Sequence, residues 1–315
     1  MKVFRGLPNA ASRAPCALTI GNFDGVHRGH KALLAHVREA AAGLGLEAAV
    51  MTFEPHPREF FAQRAGDLSK APTRIANLRD KLQALSDAGV DRVIVEHFNA
   101  HFSGQSPQEF VEKVLVQGLH VKWLMVGEDF CYGAKRAGNV ATLIEAGKRY
   151  GFEVQALPAV VNEGVRISSS AVRVALAAGD FDHAQALLGH PYTVSGHVIH
   201  GKKLGRTIGF PTLNLGWSPD LRPLYGVYAV RVNGGRSYGW LPAVANYGLR
   251  PTVEQSVEPR LEIHLLVSCP YGAGDWVAVE WVRFLRPERK FAGIDELKAQ
   301  IARDVVEARA EFSLP

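Results

Sequence analysis

The sequence predicts a two-domain protein in which an α/β domain with a parallel sheet precedes an antiparallel β domain and a closing helix. Three observations predict this architecture. The chain has 315 residues, which exceeds the usual size of a single domain. Short apolar runs alternate with amphipathic segments up to about residue 185, and strand-like runs then follow one another directly. We place the boundary so that the domains cover residues 1–186 and 187–315.

The apolar runs of the first half lack strict alternation, as expected of strands covered on both faces. In chain order they are "CALTI", "EAAVMTF", "DRVIVEHF", "KWLMVGEDF" and "FEVQALPAV". One intervening helix is predicted by apolar residues at helical spacing, namely Ile75, Leu78, Leu82 and Leu85. Another is predicted by an N-cap, a first-turn proline and a capping-box glutamate at Ser106, Pro107 and Glu109. This alternation predicts a Rossmann-like parallel sheet with helices on both faces.

The second half reads as an antiparallel barrel or sandwich. Its strand-like runs are "YTVSGHVIH", "GVYAVRVN", "SYGWLPAVANYG", "RLEIHLLVS" and "WVAVEWVRFL". The sequence "NGG" at residues 233–235 is a strong signal for a tight turn. A final helix is predicted from residue 295 onward by one apolar face, formed by Ile294, Leu297, Ile301 and Val305.

Composition narrows the class of protein. Thirty-six Lys and Arg against 31 Asp and Glu give a net charge of +5, a mild excess that suits polyanionic small molecules as well as nucleic acid. Three distant cysteines without a CxxC spacing indicate neither a disulfide framework nor a thiolate metal site. No signal-peptide core and no apolar stretch long enough to cross a bilayer are evident. We therefore expect a cytoplasmic protein without a membrane segment.

The stretch "GNFDGVHRGH", residues 21–30, follows the first predicted strand and opens a helix. In a parallel sheet, the ligand crevice lies beyond the carboxyl ends of the strands. Glycines there allow the backbone to approach a phosphate, and the amides at the helix start point to the same place. His27 and His30 lie three residues apart, so both imidazoles can face one nucleotide. The alternative is a pair of ordinary histidines at the start of a helix.

This stretch resembles the HxGH signature of the nucleotidyltransferase superfamily. Together with "VMTFEPHPREFF", "GEDFCYG" and "RISSSAVRVALAAGD", it resembles the adenylyltransferase module of bacterial bifunctional riboflavin kinase/FAD synthetases. "GHVIHGKKLGRTIGFPTLNL", "GVYAV", "ANYGLRPTV" and "RLEIHLLVSCPYG" look like the riboflavin kinase module of the same family. The resemblance covers nearly the whole chain, in the order that the family has.

For the first domain, the resemblance implies a site for ATP and a flavin. His27 and His30 would act on the transferring phosphate as catalytic residues. The other implied ATP or phosphate contacts are Asn22, Asp24, Arg166 and Ser169. The implied flavin contacts are Phe53, His56 and Tyr132. The family commonly has Arg-Phe where this chain has Cys131 and Tyr132, and Tyr132 is expected to keep an aromatic face available for a ring.

For the second domain, the resemblance implies a kinase site with phosphate contacts at Gly201, Lys202 and Gly205. This segment does not fit the Walker pattern and lies among strands, so a P-loop is excluded. Thr212 and Asn214 are the implied Mg²⁺ ligands, and their alternate positions on an extended segment make them face one way. Glu262 is the implied catalytic base, and strand alternation places it with His264 on one face. Taken alone, such a glutamate is usually only solvated.

The implied activity is phosphorylation of riboflavin to FMN and adenylylation of FMN to FAD, with ATP and Mg²⁺ used in each step. ATP, riboflavin, FMN and FAD are thus the expected partners, with no nucleic acid, no membrane and no obligatory protein partner. A second hypothesis keeps the nucleotidyltransferase for another acceptor and makes the barrel a binding module. A third is an RNA-binding protein allied to tRNA synthetases, although neither a basic stripe nor an aromatic RNA-recognition motif is evident.

Overall fold

The computed structural model describes residues 1–162, 165–201, 204–216, 223–235, 238–249 and 259–314. The chain folds into two compact units. The first unit comprises Met1–Pro72 and Lys81–Ser168, and the second comprises Thr73–Asp80 and Ser169–Pro315. The second unit is therefore built from two separate stretches of sequence. The expected boundary between residues 186 and 187 stays a prediction.

The first unit contains a six-stranded parallel sheet in the order β1-β4-β3-β2-β5-β8. Its strands are β1 (Lys2–Arg5), β2 (Cys16–Ile20), β3 (Glu47–Glu54), β4 (Arg92–His97), β5 (Val121–Gly127) and β8 (Glu153–Leu157). The five strands predicted from apolar runs are present with shifted ends. The sequence analysis missed β1, which pairs with β4 at the edge of the sheet.

Helices and two short ladders complete this unit. They are α1 (Arg28–Leu44), α2 (Pro57–Arg64), α3 (Leu78–Asp87), α4 (Ala100–Ser103), α5 (Pro107–Glu109), α6 (Val140–Tyr150) and the pairs β6 (Cys131–Tyr132) with β7 (Gly138–Asn139) and β9 (Val161–Asn162) with β10 (Val165–Arg166). The 3₁₀ turns are Ala10–Ser12, Leu68–Lys70 and Ala134–Arg136. The first residues of α3, up to Asp80, belong to the second unit.

Two helix predictions need correction in detail. Ile75 is buried but lies ahead of α3, which begins at Leu78, so the predicted apolar face started one turn too early. The capping box at Ser106 and Glu109 is confirmed, but the helix continues as nine residues of π-helix, Phe110–Gly118. A cap specifies where a helix starts, whereas the later hydrogen-bond register depends on packing against the sheet.

The sheet is covered on both faces, as predicted. One face carries a core cluster in which Cys16, Leu18 and Ile20 of β2 pack with residues of the π-helix and α6. The alternate residues of β2, Ala17 and Thr19, are also buried, and α1 contacts β2, β3 and β5. This burial explains why the strands lack an alternating pattern.

The second unit contains a closed antiparallel barrel in the order β11-β12-β15-β14-β13-β16. Its strands are β11 (Thr193–Ile199), β12 (Leu213–Leu215), β13 (Gly226–Asn233), β14 (Leu241–Leu249), β15 (Pro259–Leu265) and β16 (Trp276–Pro287). The alternative between barrel and sandwich is thus decided in favour of a barrel. Asn233 ends β13, and its side chain accepts a hydrogen bond from the Gly235 amide at 2.7 Å, as in an Asx turn.

Within the described residues, the barrel is accompanied by the helices α7 (Ser169–Ala178), α8 (Phe181–Leu188), α9 (Leu204–Thr207) and α10 (Ile294–Glu311). The α8 helix packs on β16, where the Phe181 ring stacks on Trp281 with centroids 5.6 Å apart. The α10 helix packs on β13, β14 and β16, and it confirms the predicted closing helix. The centre of its buried face is partly polar, however, because Gln300 and Asp304 are buried there.

Candidate functional sites

The first candidate site lies at the carboxyl edge of the parallel sheet, after the neighbouring strands β3, β2 and β5. The turn after β2 has a positive φ at Gly25 and also at Phe23 and Val26, residue types that seldom adopt it. A Cβ on Gly21 would lie 3.1 Å from the Phe23 ring, so the glycine permits this close approach. Backbone strain of this kind persists where the surrounding structure over-determines it.

His27 and His30 are brought together by the start of α1. His27 is the N-cap, and its Nδ1 accepts the His30 backbone N–H at 3.3 Å. The two imidazoles stack with centroids 3.7 Å apart. Because Nδ1 of His27 is an acceptor, the neutral ring carries its proton on Nε2. The expectation that both rings face one way is therefore confirmed.

His30 has an unusual electrostatic environment. Burial, with smaller effects from His27 and Lys81, holds the pKa of His30 well below 6.5. Its Nδ1 is buried and has no hydrogen-bond partner among the described residues. An orphaned ring nitrogen in a crevice is costly to bury unless a ligand satisfies it. At neutral pH this imidazole is therefore uncharged and can offer a ligand a hydrogen bond but no fixed positive charge.

The other predicted residues of the first site occupy different environments. Asp24 is buried at 3% exposure, and the Asn22 carbonyl accepts a hydrogen bond from the Thr52 hydroxyl. Arg166 lies on β10 and forms an exposed ion pair with Asp129, with Nη2 and Oδ2 2.7 Å apart. Asp129 follows β5, so this pair brings Arg166 to the same sheet edge.

Ser169 is the first residue of α7, which belongs to the second unit. Its role as a phosphate contact stays a prediction, as do the roles of Asn22, Asp24 and Arg166.

Two of the predicted flavin contacts lie after β3. His56 caps α2 through Nδ1, which accepts the Arg58 amide at 3.1 Å, so a neutral ring carries its proton on Nε2. Phe53 is half-buried and packs against Phe98 and Phe102, with centroids 5.6 and 5.7 Å away.

Tyr132 corrects the prediction of an open aromatic face. Its side chain is 6% exposed and packs between Phe110 and Phe130 in the core cluster. Its hydroxyl lies 3.1 Å from the hydroxyl of Thr142, an exposed residue in the first turn of α6, so the polar end of the ring also has a partner. The ring is therefore a packing element in this structure, whereas Phe130 is half-buried and nearer to solvent. No local sequence signal separates these two aromatic residues.

The second candidate site is a cavity of about 210 Å³ at the side of the barrel. Its lining includes Gly205 of α9 and four of the other predicted kinase residues or their neighbours, namely Thr212, Asn214, Glu262 and His264. Leu213, Leu215, Leu261 and Ile263 are buried in the barrel, so the alternate residues of β12 and β15 point out of it. The predicted alternation is thus confirmed, and Asn214 lies directly opposite Glu262 in the strand register.

Asn214 has a feature that points to a ligand. It is 7% exposed, yet its Oδ1 is buried without a hydrogen-bond partner among the described residues. A Cβ on Gly201 would lie 2.2 Å from the Asn214 amide nitrogen, so only glycine leaves room for this side chain. Lys202, the neighbouring predicted phosphate contact, lies outside the described residues.

The oxygen atoms that line this cavity fit Mg²⁺, the cation predicted from the sequence. Thr212 offers a hydroxyl oxygen, Asn214 an amide oxygen and Glu262 a carboxylate within one crevice. Hard oxygen ligands that leave positions for water and phosphate are what Mg²⁺ prefers. The sequence analysis missed Asn246, which pairs with Glu262 on the other side and lines the same cavity. The register between β14 and β15, which cannot be derived from the local sequence, places Asn246 beside Glu262.

Together, these features define a protein of two units with two candidate sites, one at a helix start beside a parallel sheet and one in a cavity at the side of a closed barrel. The model of the FAD synthetase family matches residues 9–171, and that of the riboflavin kinase family matches residues 188–312. Among the described residues, no helix combines the length and hydropathy that crossing a bilayer requires.

Curated relatives agree over the full length of the chain. The bifunctional riboflavin kinase/FMN adenylyltransferase of Escherichia coli (strain K12) is 47% identical, covering 100% of this chain and 99% of its own. The Haemophilus influenzae protein of that name is 46% identical, covering 99% and 100%. The chain therefore belongs to the family of bifunctional riboflavin kinase/FMN adenylyltransferases.

A solved structure also aligns with the whole chain. It is described as a macrolide-efflux protein from Streptococcus pneumoniae, with a TM-score of 0.78, 28% identity and 98% coverage of both chains. This likeness supports the two-unit architecture. The word efflux describes that protein alone, and both family models point instead to flavin-nucleotide chemistry.

Proposed function

We propose that this protein converts riboflavin to FMN with release of ADP, and then converts FMN to FAD with release of pyrophosphate. ATP is the donor in both steps, with Mg²⁺ bound at least in the kinase site. Membership of the family supports the reaction pair. The single structural observation that carries the kinase half is the orphaned Asn214 Oδ1 beside Glu262 in the barrel cavity.

In the kinase site, the Glu262 carboxylate accepts the proton of the ribityl 5′-hydroxyl as that oxygen attacks the γ-phosphorus of ATP. A rigid strand holds this carboxylate next to Asn214, which fixes the direction of attack. Thr212 and Asn214 would hold Mg²⁺, which supplies neutralisation of phosphate charge when bound. The bond from the γ-phosphorus to the bridging oxygen breaks, and ADP leaves with that oxygen.

In the adenylyltransferase site, the FMN phosphate attacks the α-phosphorus of ATP and pyrophosphate leaves. The N-terminal amides of α1 and the Nε2–H of His27 donate to the phosphate oxygens, where charge develops. The neutral His30 ring provides a further hydrogen bond. Arg166 pairs with phosphate once it leaves Asp129, an exchange that costs little because the exposed pair is weak. His56 and Phe53 contact the flavin side of the crevice.

The test is incubation of the full chain with riboflavin, ATP and MgCl₂, followed by chromatographic separation of riboflavin, FMN and FAD. We expect FMN to appear first and FAD later. One ADP should be released for each riboflavin that is phosphorylated, and one pyrophosphate for each FAD that is formed. Parallel reactions with FMN as substrate, and with EDTA, separate the two steps and test the metal. Absence of both flavin products would contradict the proposal.

The expected partners are ATP and these flavins. The free state of all three cysteines is consistent with the expected cytoplasmic location, which stays a prediction.

A further inference from the structure

The buried face of α10 is polar where a helix packed on a barrel is normally apolar. Asp304 is 3% exposed and Gln300 is 8% exposed, and both face the barrel. Burying a carboxylate is costly unless it is paired and hydrogen-bonded. A stripe of leucines would hold the helix at lower cost, so the polar groups need a reason to be there.

Arg286 of β16 is the partner of this carboxylate. Its Nε donates to Asp304 Oδ1 and its Nη2 to Asp304 Oδ2, each at 2.7 Å, and its Nη1 donates to the Pro287 carbonyl at 3.0 Å. Gln300 Nε2 adds a hydrogen bond to Asp304 Oδ1 at 2.8 Å. A bidentate pair of this kind fixes both the separation and the rotation of the two elements that carry it. We refer to Arg286, Gln300 and Asp304 as the helix clamp.

The helix clamp lies at the cavity that contains the candidate kinase site. Leu297, Ile301 and Asp304 succeed one another on one face of α10, and all three line the cavity. Arg286 lines it as well. The α10 helix thus supplies an apolar wall to the cavity that also contains Glu262, and the helix clamp lies at the end of that wall.

We propose that the helix clamp is a positioning device for the flavin substrate of the kinase step. It holds α10 so that Leu297 and Ile301 form the wall on which the apolar ring system rests while the ribityl hydroxyl reaches Glu262. Each of the three guanidinium nitrogens of Arg286 already donates to a protein oxygen, which holds the group against α10. We therefore assign the action of the clamp to the position of the wall. This inference rests on the proposed function.

The chain offers a matched control. Arg283 of β16 and Glu311 of α10 form a second ion pair between the same two elements, with Nη1 and Oε2 2.9 Å apart. Arg283 is 59% exposed, and neither residue lines the cavity. If both ion pairs only stabilised the packing of α10 on β16, their loss would change the free energy of unfolding and would leave the kinetic constants for riboflavin unchanged. A positioning role makes only the helix clamp affect the flavin.

The experiment compares Asp304→Asn with Glu311→Gln in the full chain. For Asp304→Asn, we expect KM for riboflavin to rise about tenfold, while kcat at saturating riboflavin and KM for ATP change less than twofold. For Glu311→Gln, all three values stay at the parent level. Asp304→Glu restores the charge and should recover part of the riboflavin affinity.

Because Asp304→Asn leaves a guanidinium without its anion, it could prevent folding, so Gln300→Met provides a milder variant. It removes the hydrogen bond to Asp304 and the two that Arg303 donates to Gln300 Oε1, but it keeps the ion pair. We expect about a threefold rise in KM for riboflavin. The urea-unfolding midpoint of the barrel unit reports whether each variant is folded, and conversion of supplied FMN to FAD is the control for the other unit.

A rise in all kinetic parameters together, or an unchanged KM for riboflavin in both Asp304→Asn and Gln300→Met, would overturn the positioning role. If the parent makes no FMN, the proposed function fails and the inference fails with it.

Discussion

The two candidate sites present groups of opposite hydrogen-bonding character. The site on the parallel sheet presents donors, namely helix amides and imidazoles, which suit a phosphate directly. The barrel site presents oxygens, from Thr212, Asn214 and Glu262, which suit a cation and a hydroxyl. The first lies largely within one continuous stretch of ten residues, 21–30, whereas the second needs strand pairing between residues 48 apart, Asn214 and Glu262. A helix start concentrates donors locally, but a strand site depends on register.

The largest effect should come from the barrel site. Glu262→Gln keeps the shape of the side chain but removes the base, so FMN formation from riboflavin should fall about 10²- to 10⁴-fold. Formation of FAD from supplied FMN should stay at the parent rate, because the other site retains its groups. The measurement is the single-turnover rate, determined once with riboflavin and once with FMN as the substrate. A parental rate of FMN formation would remove Glu262 from the mechanism.

Substitutions in the site on the parallel sheet should impair FAD formation and leave FMN formation intact. His27→Ala or His30→Ala should lower the rate of FAD formation about 10²- to 10³-fold, since each removes a donor used mainly in the transition state. The kinase step continues, so FMN accumulates with ADP and little pyrophosphate. His36→Ala, further along α1, is the control and should behave like the parent. If both site variants made FAD at the parent rate, these histidines would serve only the start of the helix.

Separating the units sharpens the comparison. The sequence-derived boundary predicts that a fragment of residues 187–315 folds and phosphorylates riboflavin. The structure adds that Phe181 packs against Trp281 and Tyr228 in the barrel unit, so a fragment of residues 169–315 should be more stable. Loss of one buried phenylalanine corresponds to about 3 kcal/mol in the free energy of unfolding. Urea denaturation of both fragments measures this difference, and equal midpoints would mean that α8 contributes nothing to the barrel.

The smallest effect concerns pH. Burial holds the pKa of His30 well below 6.5, so below pH 6.5 the unfolded chain binds a proton that the folded protein excludes. Stability should therefore fall as the pH decreases from 7 to 5, by up to about 1.4 kcal/mol per pH unit from this group. His30→Gln cannot take up that proton, so its stability should change less over this range. Parallel slopes for the two proteins in urea unfolding would show that His30 is not buried as a neutral ring.

Much of the fold could be predicted, because burial on both faces and helix caps leave local signals. The strand β1 could not, since it has four residues, two of them basic, and lies mostly exposed at the sheet edge. The polar face of α10 was missed for a related reason. Asp304 and Gln300 read as solvent-facing residues until Arg286, 18 residues before Asp304, is placed beside them.

The candidate sites show the same limit. The local sequence around His27 and His30 was enough to identify these histidines as candidates. Strand alternation correctly placed Glu262 and His264 on the same face, which lines the cavity. The family resemblance, not periodicity, supplied their roles. Tyr132 failed as an open face because its burial depends on Phe110 and Phe130, which approach it only in the tertiary structure. The exposure of a side chain on a short strand such as β6 thus cannot be predicted from the local sequence pattern.

The composite second unit has a consequence for how the chain is made. Asp80 of the early stretch accepts hydrogen bonds from the Ser195 amide, at 3.0 Å, and from its hydroxyl, across 115 positions of sequence. Arg79 meanwhile covers the Trp276 ring at 4.0 Å. During synthesis these two early residues leave the ribosome long before β11 and β16 exist, and the N-terminal unit starts to fold first. Residues 73–80 therefore lack these partners until the barrel strands have been synthesised, and we expect the barrel unit to be completed by a segment that was made early.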